Sequence, residues 1–243
     1  MTGDRTILVT GVSSGIGWGL AHAWLNEGAT VLGCSRRRPD DLLDQPGFHF
    51  ETLDLRDESA VAPTLERLLA GRSHLHLALL NAGVLGPIQD LAVTPLSTLR
   101  ELSDVNLWAN KLVLDVLFER LETLDQVVTV SSGAAVNGNR GWGGYAISKA
   151  ALNMLTRLYA AERPRTHFCA FAPGLVDTAM QDYLCGLPED ERYPSIDTIK
   201  SCQHTDDMPS PEGAAARLKA AIEQLPDLVE SGAFTDVRQL ELR

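Results

Sequence analysis

A parallel, doubly wound α/β sheet with helices on both faces is the fold class this sequence predicts, and three observations predict it. Short apolar runs rich in β-formers alternate with stretches of helical period from one end of the chain to the other. The runs are uniformly apolar rather than alternating with polar residues, as strands are when both faces of a sheet are covered. A glycine-rich segment joins the first run to the first helical stretch.

Thr6-Ile-Leu-Val-Thr10 reads as the first strand and stops at Gly11. Residues 15–27 read as a helix with Ile16, Leu20, Ala23 and Trp24 on one face, closed by Gly28 as a C-cap. Runs at 29–34 and 48–53 predict the second and third strands. Residues 57–69 predict a helix with Val61, Leu65, Leu68 and Leu69 in phase, followed by a fourth strand at 75–80. Residues 99–121 keep helical period throughout and predict one long helix with Asn106 inside it. A fifth strand at 126–131 precedes a helix at 145–162, which Pro164 ends. A sixth strand at 166–172 stops at Pro173-Gly174, and a helix at 211–224 and a short strand at 232–237 complete the pattern. No repeat or linker divides the 243 residues, which are enough for one full core. Residues 1–243 are therefore expected to form a single domain. The least regular stretch, 181–211, is rich in Asp, Glu, Pro and Ser. It reads either as a surface excursion or, over 178–211, as a substrate lid.

The net charge of -11 disfavours nucleic acid and anionic membranes as partners. Arg36, Arg37 and Arg38 leave room for one local basic pocket. No apolar run approaches the roughly 20 residues that span a bilayer. The segment 1–5 is short and polar and reads as no signal peptide, so a cytoplasmic protein is expected. Cys34, Cys169, Cys185 and Cys202 are widely spaced, without a CxxC pair, which argues against a disulfide framework or a metal site. Cys34 and Cys169 fall in predicted strands and are expected to be buried thiols.

Thr10-Gly11-Val12-Ser13-Ser14-Gly15-Ile16-Gly17 lies between the first strand and the first helix. Gly11 permits a tight turn, Gly15 leaves room for a pyrophosphate, and Gly17 lets the helix approach the sheet. The helix start offers free N–H groups and a positive dipole end to phosphates. A dinucleotide site is expected here, and the absence of GxxxxGK[ST] disfavours phosphoryl transfer. A ribose 2′-OH is held by a carboxylate at the end of the second strand in NAD sites. Here the strand ends Gly33-Cys34-Ser35-Arg36-Arg37. Small Ser35 and cationic Arg36 suit a 2′-phosphate, so NADP(H) is the expected cofactor.

Tyr145 and Lys149 stand four apart in a predicted helix and project from one face. An ordinary tyrosine has a pKa of about 10. A neighbouring ammonium favours phenolate, so the pair predicts a tyrosine acid with a lowered pKa. Ser132 follows the fifth strand, where its hydroxyl can reach a substrate carbonyl oxygen; Ser131 is the weaker choice.

On these residues the chain resembles the short-chain dehydrogenase/reductase family, and the resemblance covers nearly its whole length. Residues 10–17 match TGxxxGxG, Tyr145 and Lys149 match YxxxK, and Ser132 matches the serine thirteen residues before the tyrosine. Asn106 matches the helix asparagine of the catalytic tetrad, which in the family supports a water linking Lys to solvent; it also reads as a polar residue on an exposed helix face. The resemblance further implies an adenine contact at Asp54-Leu55. Asn81-Ala82-Gly83 would lie beside the ribose, with Leu80 standing where a second Asn is usual. Pro173 and Gly174 match the PG motif, with the Val176 backbone and Thr178 near the carboxamide or phosphates. It implies hydride transfer to a ketone or aldehyde, with Tyr145 giving the proton, Ser132 stabilising the oxygen and Lys149 holding the ribose. A catalytically silent NADPH-binding sensor is the alternative. A homodimer or homotetramer through the two long helices is expected.

Ser132-Gly133-Ala134-Ala135, Gly141-Trp142, residues 149–154, residues 173–181 and the tail 231–236 resemble the sepiapterin reductase group, closest to bacterial benzil reductases. That resemblance implies a bulky or vicinal dicarbonyl substrate. Trp142, Met180, Tyr183 and Leu184 are expected to wall an apolar pocket. Asp236 reads either as the anchor of a substrate donor or as an exposed residue closing the last strand.

Overall fold

The apolar runs become strands that all lie parallel in one seven-stranded sheet of order β3-β2-β1-β4-β5-β6-β7, in a computed structural model that describes residues 5–242. The strands are β1 (Thr6–Thr10), β2 (Thr30–Ser35), β3 (Phe48–Thr52), β4 (His74–Leu80), β5 (Thr123–Val130), β6 (His167–Ala172) and β7 (Ala233–Asp236). The polar segment 1–4 ahead of β1 lies outside the described residues.

Why the strands lack alternation is visible in β4. Leu77 and Leu79 face one core layer and Ala78 and Leu80 the other, all at most 1% exposed. The first layer is closed by α1 (Gly15–Asn26), and the second by α2 (Glu58–Leu69). Burying each such leucine is worth about 1.5–3 kcal/mol, so both layers hold the sheet between them. Asp57 accepts from the Ser59 N–H and caps α2, while Gly28, at φ 82°, closes α1 as the sequence predicts.

The long helical stretch is composite. It starts at Leu96, earlier than predicted, as α3 (Leu96–Ser103), widens into a π turn at Asp104–Trp108, and continues as α4 (Ala109–Arg120). The Ala109 N–H reaches back to the Asp104 carbonyl, so one extra residue is accommodated and Asn106 turns inward. Next come α5 (Ala134–Asn137) and α6 (Gly143–Glu162). The irregular stretch contains two helices that hydrophobic period did not predict, α7 (Ala179–Cys185) and α8 (Pro194–Cys202). Finally α9 (Pro211–Leu228) joins the first layer against α1. It runs past the predicted stop at 224.

Cys34 and Cys169 are buried free thiols, as expected, and burial pushes each up to about 12. Among the described residues no helix is long and apolar enough to cross a membrane.

Candidate active site

The C-terminal ends of the strands open onto one cleft of about 1130 Å³. It runs across the point between β1 and β4 where the strand order reverses, the place where open parallel sheets bind ligands. Two side chains stitch that point together. Thr10 Oγ1 accepts from the Asn81 and Ala82 N–H groups at 3.0 and 3.1 Å, and Asn81 Nδ2 donates to the Thr10 and Gly11 carbonyls at 3.0 and 3.2 Å.

The expected dinucleotide residues lie along one half of the cleft. Gly11, Ser13, Ser14, Gly15 and Ile16 line its floor, Asn81, Ala82 and Gly83 the β4 end, and Pro173, Gly174, Val176 and Thr178 the β6 end. Gly15 has φ 62°, which favours glycine, and a Cβ there would press on Thr178 at 3.1 Å. Gly17 alone of this set does not reach the cleft; it is buried beneath, where a Cβ would come within 2.4 Å of the Gly11 carbonyl oxygen. The first turn of α1 holds no acidic residue, and Ser14 makes no side-chain cap, so the positive helix end is left uncompensated toward the cleft. These features fit a dinucleotide pyrophosphate. At the far end Ser35 and Arg36 line the cleft beside Asp54 and Leu55. The Arg56 guanidinium pairs with Asp54 and holds its carboxyl below the usual range. Arg37, which sequence reasoning noted only as part of an arginine run, also lines the cleft and donates to Ser14 Oγ at 3.2 Å.

Tyr145, Ser132 and Lys149 converge in the other half. Tyr145 and Lys149 are 8% and 3% exposed, and the Lys149 Nζ lies 5.7 Å from the Tyr145 ring centre. Lys149 Nζ donates to the Val130 carbonyl at 2.7 Å. Burial without a carboxylate partner lowers its pKa to about 8. Burial also raises Tyr145 to about 12, opposed by a hydrogen bond from Ser132. The direction is opposite to the lowered pKa predicted from the YxxxK spacing. Desolvation disfavours phenolate here more than the Ser132 hydroxyl favours it. Ser132 is the serine facing Tyr145, because Ser131 Oγ is taken by Asn153 Oδ1 at 2.5 Å.

Asn106 is not on an exposed face: it is 0% exposed and does not line the cleft. Its Oδ1 accepts from the Val84 N–H and its Nδ2 donates to the Val84 carbonyl, both at 2.8 Å, and to Ser148 Oγ at 3.0 Å. Gly83 makes room for this packing, since a Cβ there would stand 3.1 Å from Asn106 Oδ1 and 3.3 Å from Lys149 Nζ.

The outer end of the cleft is walled by Trp142, Met180 and Leu184. The Trp142 ring lies 6.1 Å from that of Tyr145 and its Nε1 donates to Ser195 Oγ of α8 at 2.8 Å. Tyr183 is a correction: it is 46% exposed and does not line the cleft. Adjacent residues on a helix point about 100° apart, so with Leu184 buried toward the cleft Tyr183 must point away. Asp236 is a second correction. It lines the cleft at 5% exposure and is therefore no exposed strand end. Its carboxylate is held by Arg238, through Nε at 2.8 Å and Nη2 at 2.6 Å. Arg238 and Asn137 also line the cleft, and sequence reasoning missed both. The Asp-x-Arg spacing was a usable signal for Arg238, since the same fork forms at Asp54–Arg56 and Asp190–Arg192.

The short chain dehydrogenase family model matches residues 5–185. Over 236 residues the chain is 27% identical to a benzil reductase, (S)-benzoin forming, of Bacillus cereus, covering 90% of this chain and 94% of that one. It is 31% identical over 193 residues to a benzil reductase, also (S)-benzoin forming, of Saccharomyces cerevisiae, covering 73% of each. A solved short chain dehydrogenase of Shigella flexneri, complexed with NADP, superposes with a TM-score of 0.77 at 23% identity, covering 96% of this chain and 97% of that one.

The pH dependence follows from the two buried groups. The ammonium of Lys149 is present below its pKa of about 8 and lost as pH rises through it, while Tyr145 stays protonated to about 12. For proton donation by Tyr145 assisted by that ammonium, kcat/KM for carbonyl reduction is expected to be level on the acid side and to fall above about pH 8. A steady-state profile from about pH 6 to about pH 10 checks this, and a rate that climbs through the same interval contradicts it.

Proposed function

The chain belongs to the short chain dehydrogenase family, and we propose that it works as an NADPH-dependent carbonyl reductase of bulky vicinal diketones such as benzil. The observation that carries this reading is the buried Tyr145 hydroxyl, with Ser132 facing it, beside the Lys149 ammonium at the end of a dinucleotide-sized cleft.

When bound, NADPH supplies the hydride that the carbonyl carbon accepts. Each residue of this chain then has a defined task. Tyr145 gives its hydroxyl proton to the carbonyl oxygen as negative charge builds there. The Ser132 hydroxyl donates to the same oxygen and stabilises that charge. Lys149 holds the ribose hydroxyls and keeps a positive charge beside the phenol. Asn106 positions: its amide is used by Val84 and Ser148, so it fixes the floor beneath Lys149. The start of α1 receives the pyrophosphate. Arg36 would hold the 2′-phosphate, Asp54 and Leu55 the adenine, and the Val176 backbone and Thr178 the carboxamide or phosphates. Helices α7 and α8 serve as the substrate lid, latched through Trp142 and Ser195. Trp142, Met180 and Leu184 accept the aromatic groups of the substrate.

The benzil reductases among its relatives support the substrate class. Replacing Tyr145 by Phe removes the proton and keeps the ring, so benzil reduction is expected to fall by about a thousandfold or more while NADPH still binds. Near-normal turnover in that variant contradicts the role. NADPH binding by a wild-type protein that reduces no carbonyl of a benzil, sepiapterin, quinone and simple-ketone panel points instead to a silent sensor.

Cofactor choice rests on Arg36, with no carboxylate at the end of β2 to take a ribose hydroxyl. Arg36→Ala is expected to lower kcat/KM for NADPH by about 10- to 100-fold and to leave NADH almost unchanged, as loss of a charged hydrogen bond would. Comparison of the two cofactors with both proteins checks it, and a wild-type preference for NADH overturns it.

Trp108, Ile147, Met154 and Leu158, all about half exposed, lie on the π turn and α6. They support pairing of two copies through these helices. Sedimentation is expected to show a dimer or tetramer that Met154→Glu with Leu158→Glu reduces to monomer; a monomeric wild type contradicts the pairing.

A further inference from the structure

Gly133 follows Ser132 and leads into α5. Its backbone is right-handed, φ -55° and ψ -27°, which any residue adopts, so conformation does not require glycine there. What glycine provides is a gap. A Cβ on Gly133 would have as its nearest neighbours Nδ2 of Asn137 at 3.9 Å and Nη2 of Arg238 at 4.0 Å. Both atoms are hydrogen-bond donors, and both belong to residues lining the cleft.

Each donor is fixed. Asn137 Oδ1 accepts from the Asn139 N–H at 3.3 Å, which sets the amide with its nitrogen toward the gap. Arg238 is clamped in a two-bond fork by Asp236. The fork leaves further guanidinium N–H groups to donate elsewhere. The other two Asp-x-Arg forks stand on open carboxylates, 35% and 29% exposed. At the third, the Asp236 side chain is 8% exposed while that of Arg238 is 64% exposed. This guanidinium is held through Nε and Nη2 on a buried carboxylate while its side chain stays largely exposed. The Asp236–Arg238 pair is neutral overall and lines the same cleft as Trp142, Met180 and Leu184. A neutral oxygen acceptor suits that setting better than a free anion, whose desolvation the pair would offset only in part.

We propose that Arg238 and Asn137 form a second oxygen subsite, taking the ketone oxygen next to the one that Tyr145 and Ser132 receive, and that Arg238 determines specificity for 1,2-diketones. The subsite rests on the reductase reading above. It also gives Asp236 a different task from anchoring a substrate donor: the carboxylate holds Arg238.

Benzil and deoxybenzoin carry the same two phenyl rings and differ by one ketone oxygen. Benzil is intrinsically the more reactive, so the change in the benzil-to-deoxybenzoin ratio of kcat/KM between variants reads the subsite. Arg238→Gln is expected to lower that ratio by about tenfold or more, the order of one hydrogen bond to a charged donor, and Arg238→Lys to restore part of it. Gly133→Ala fills the gap without backbone strain and is expected to lower the ratio with the melting temperature preserved. A ratio that neither Arg238→Gln nor Gly133→Ala moves overturns the subsite while leaving the reductase reading intact. A wild-type enzyme that reduces other carbonyls but neither of these two overturns the diketone reading and the subsite together.

Discussion

A buried ammonium with no carboxylate partner is the constraint around which this site is arranged. Lys149 is 3% exposed and its Nζ rests on the Val130 carbonyl. Desolvating a charge is costly, and here the cost shows as a pKa lowered to about 8 rather than as a salt bridge. A carboxylate within reach would stabilise the ammonium, but it would also compete for it with any ligand. The neighbouring groups are instead neutral: the Tyr145 ring, the Asn106 amide and the empty face of Gly83.

That arrangement explains the π turn. In an uninterrupted α-helix the residues from 96 to 120 would keep one apolar face on the second core layer. The extra residue at Asp104–Trp108 rotates Asn106 inward, where it bonds both backbone groups of Val84 and the Ser148 hydroxyl. Val84 follows Gly83, and Ser148 precedes Lys149, so one asparagine ties the end of β4 to α6 at the level of the ammonium. The raised pKa of Tyr145 belongs to the same picture. Burial drives both groups toward their neutral forms, and for a phenol the neutral form is the one that carries the proton to be given.

Much of this was legible in the sequence because it is local. Uniformly apolar runs specify doubly covered strands, and the glycine segment between Thr10 and Gly17 specifies a strand–turn–helix junction through contacts a few residues long. The two helices of the irregular stretch were not legible. Helices α7 and α8 span Ala179–Cys185 and Pro194–Cys202, too short to be stable from propensity alone. They are held by non-local packing of Leu184, Tyr193 and Ile196 on Trp142 and Tyr145, which no window of sequence reveals. The π turn escaped for a different reason, since a single inserted residue leaves helical spacing intact on either side of it and each half still reads as helix. Tyr183 and Leu184 show the limit of reading composition without phase: both suit a pocket wall, but a helix can turn only one of them inward.

Charge in the cleft runs against charge in the chain. At -11 overall, the protein repels an anionic dinucleotide at long range. Screening confines that repulsion to about 8 Å at physiological salt, so what the ligand meets inside the cleft is set by the groups lining it. There the positive features are spaced out rather than clustered: Arg36 and Arg37 at the end of β2, the uncapped start of α1 in the middle, and Arg238 at the outer end. Two carboxylates that line the cleft are occupied, Asp54 by Arg56 and Asp236 by Arg238. Neutralising the acids locally, rather than adding net positive charge, keeps the cationic positions distinct. Each can then recognise one oxygen cluster along an extended ligand, which a diffuse basic surface would not do.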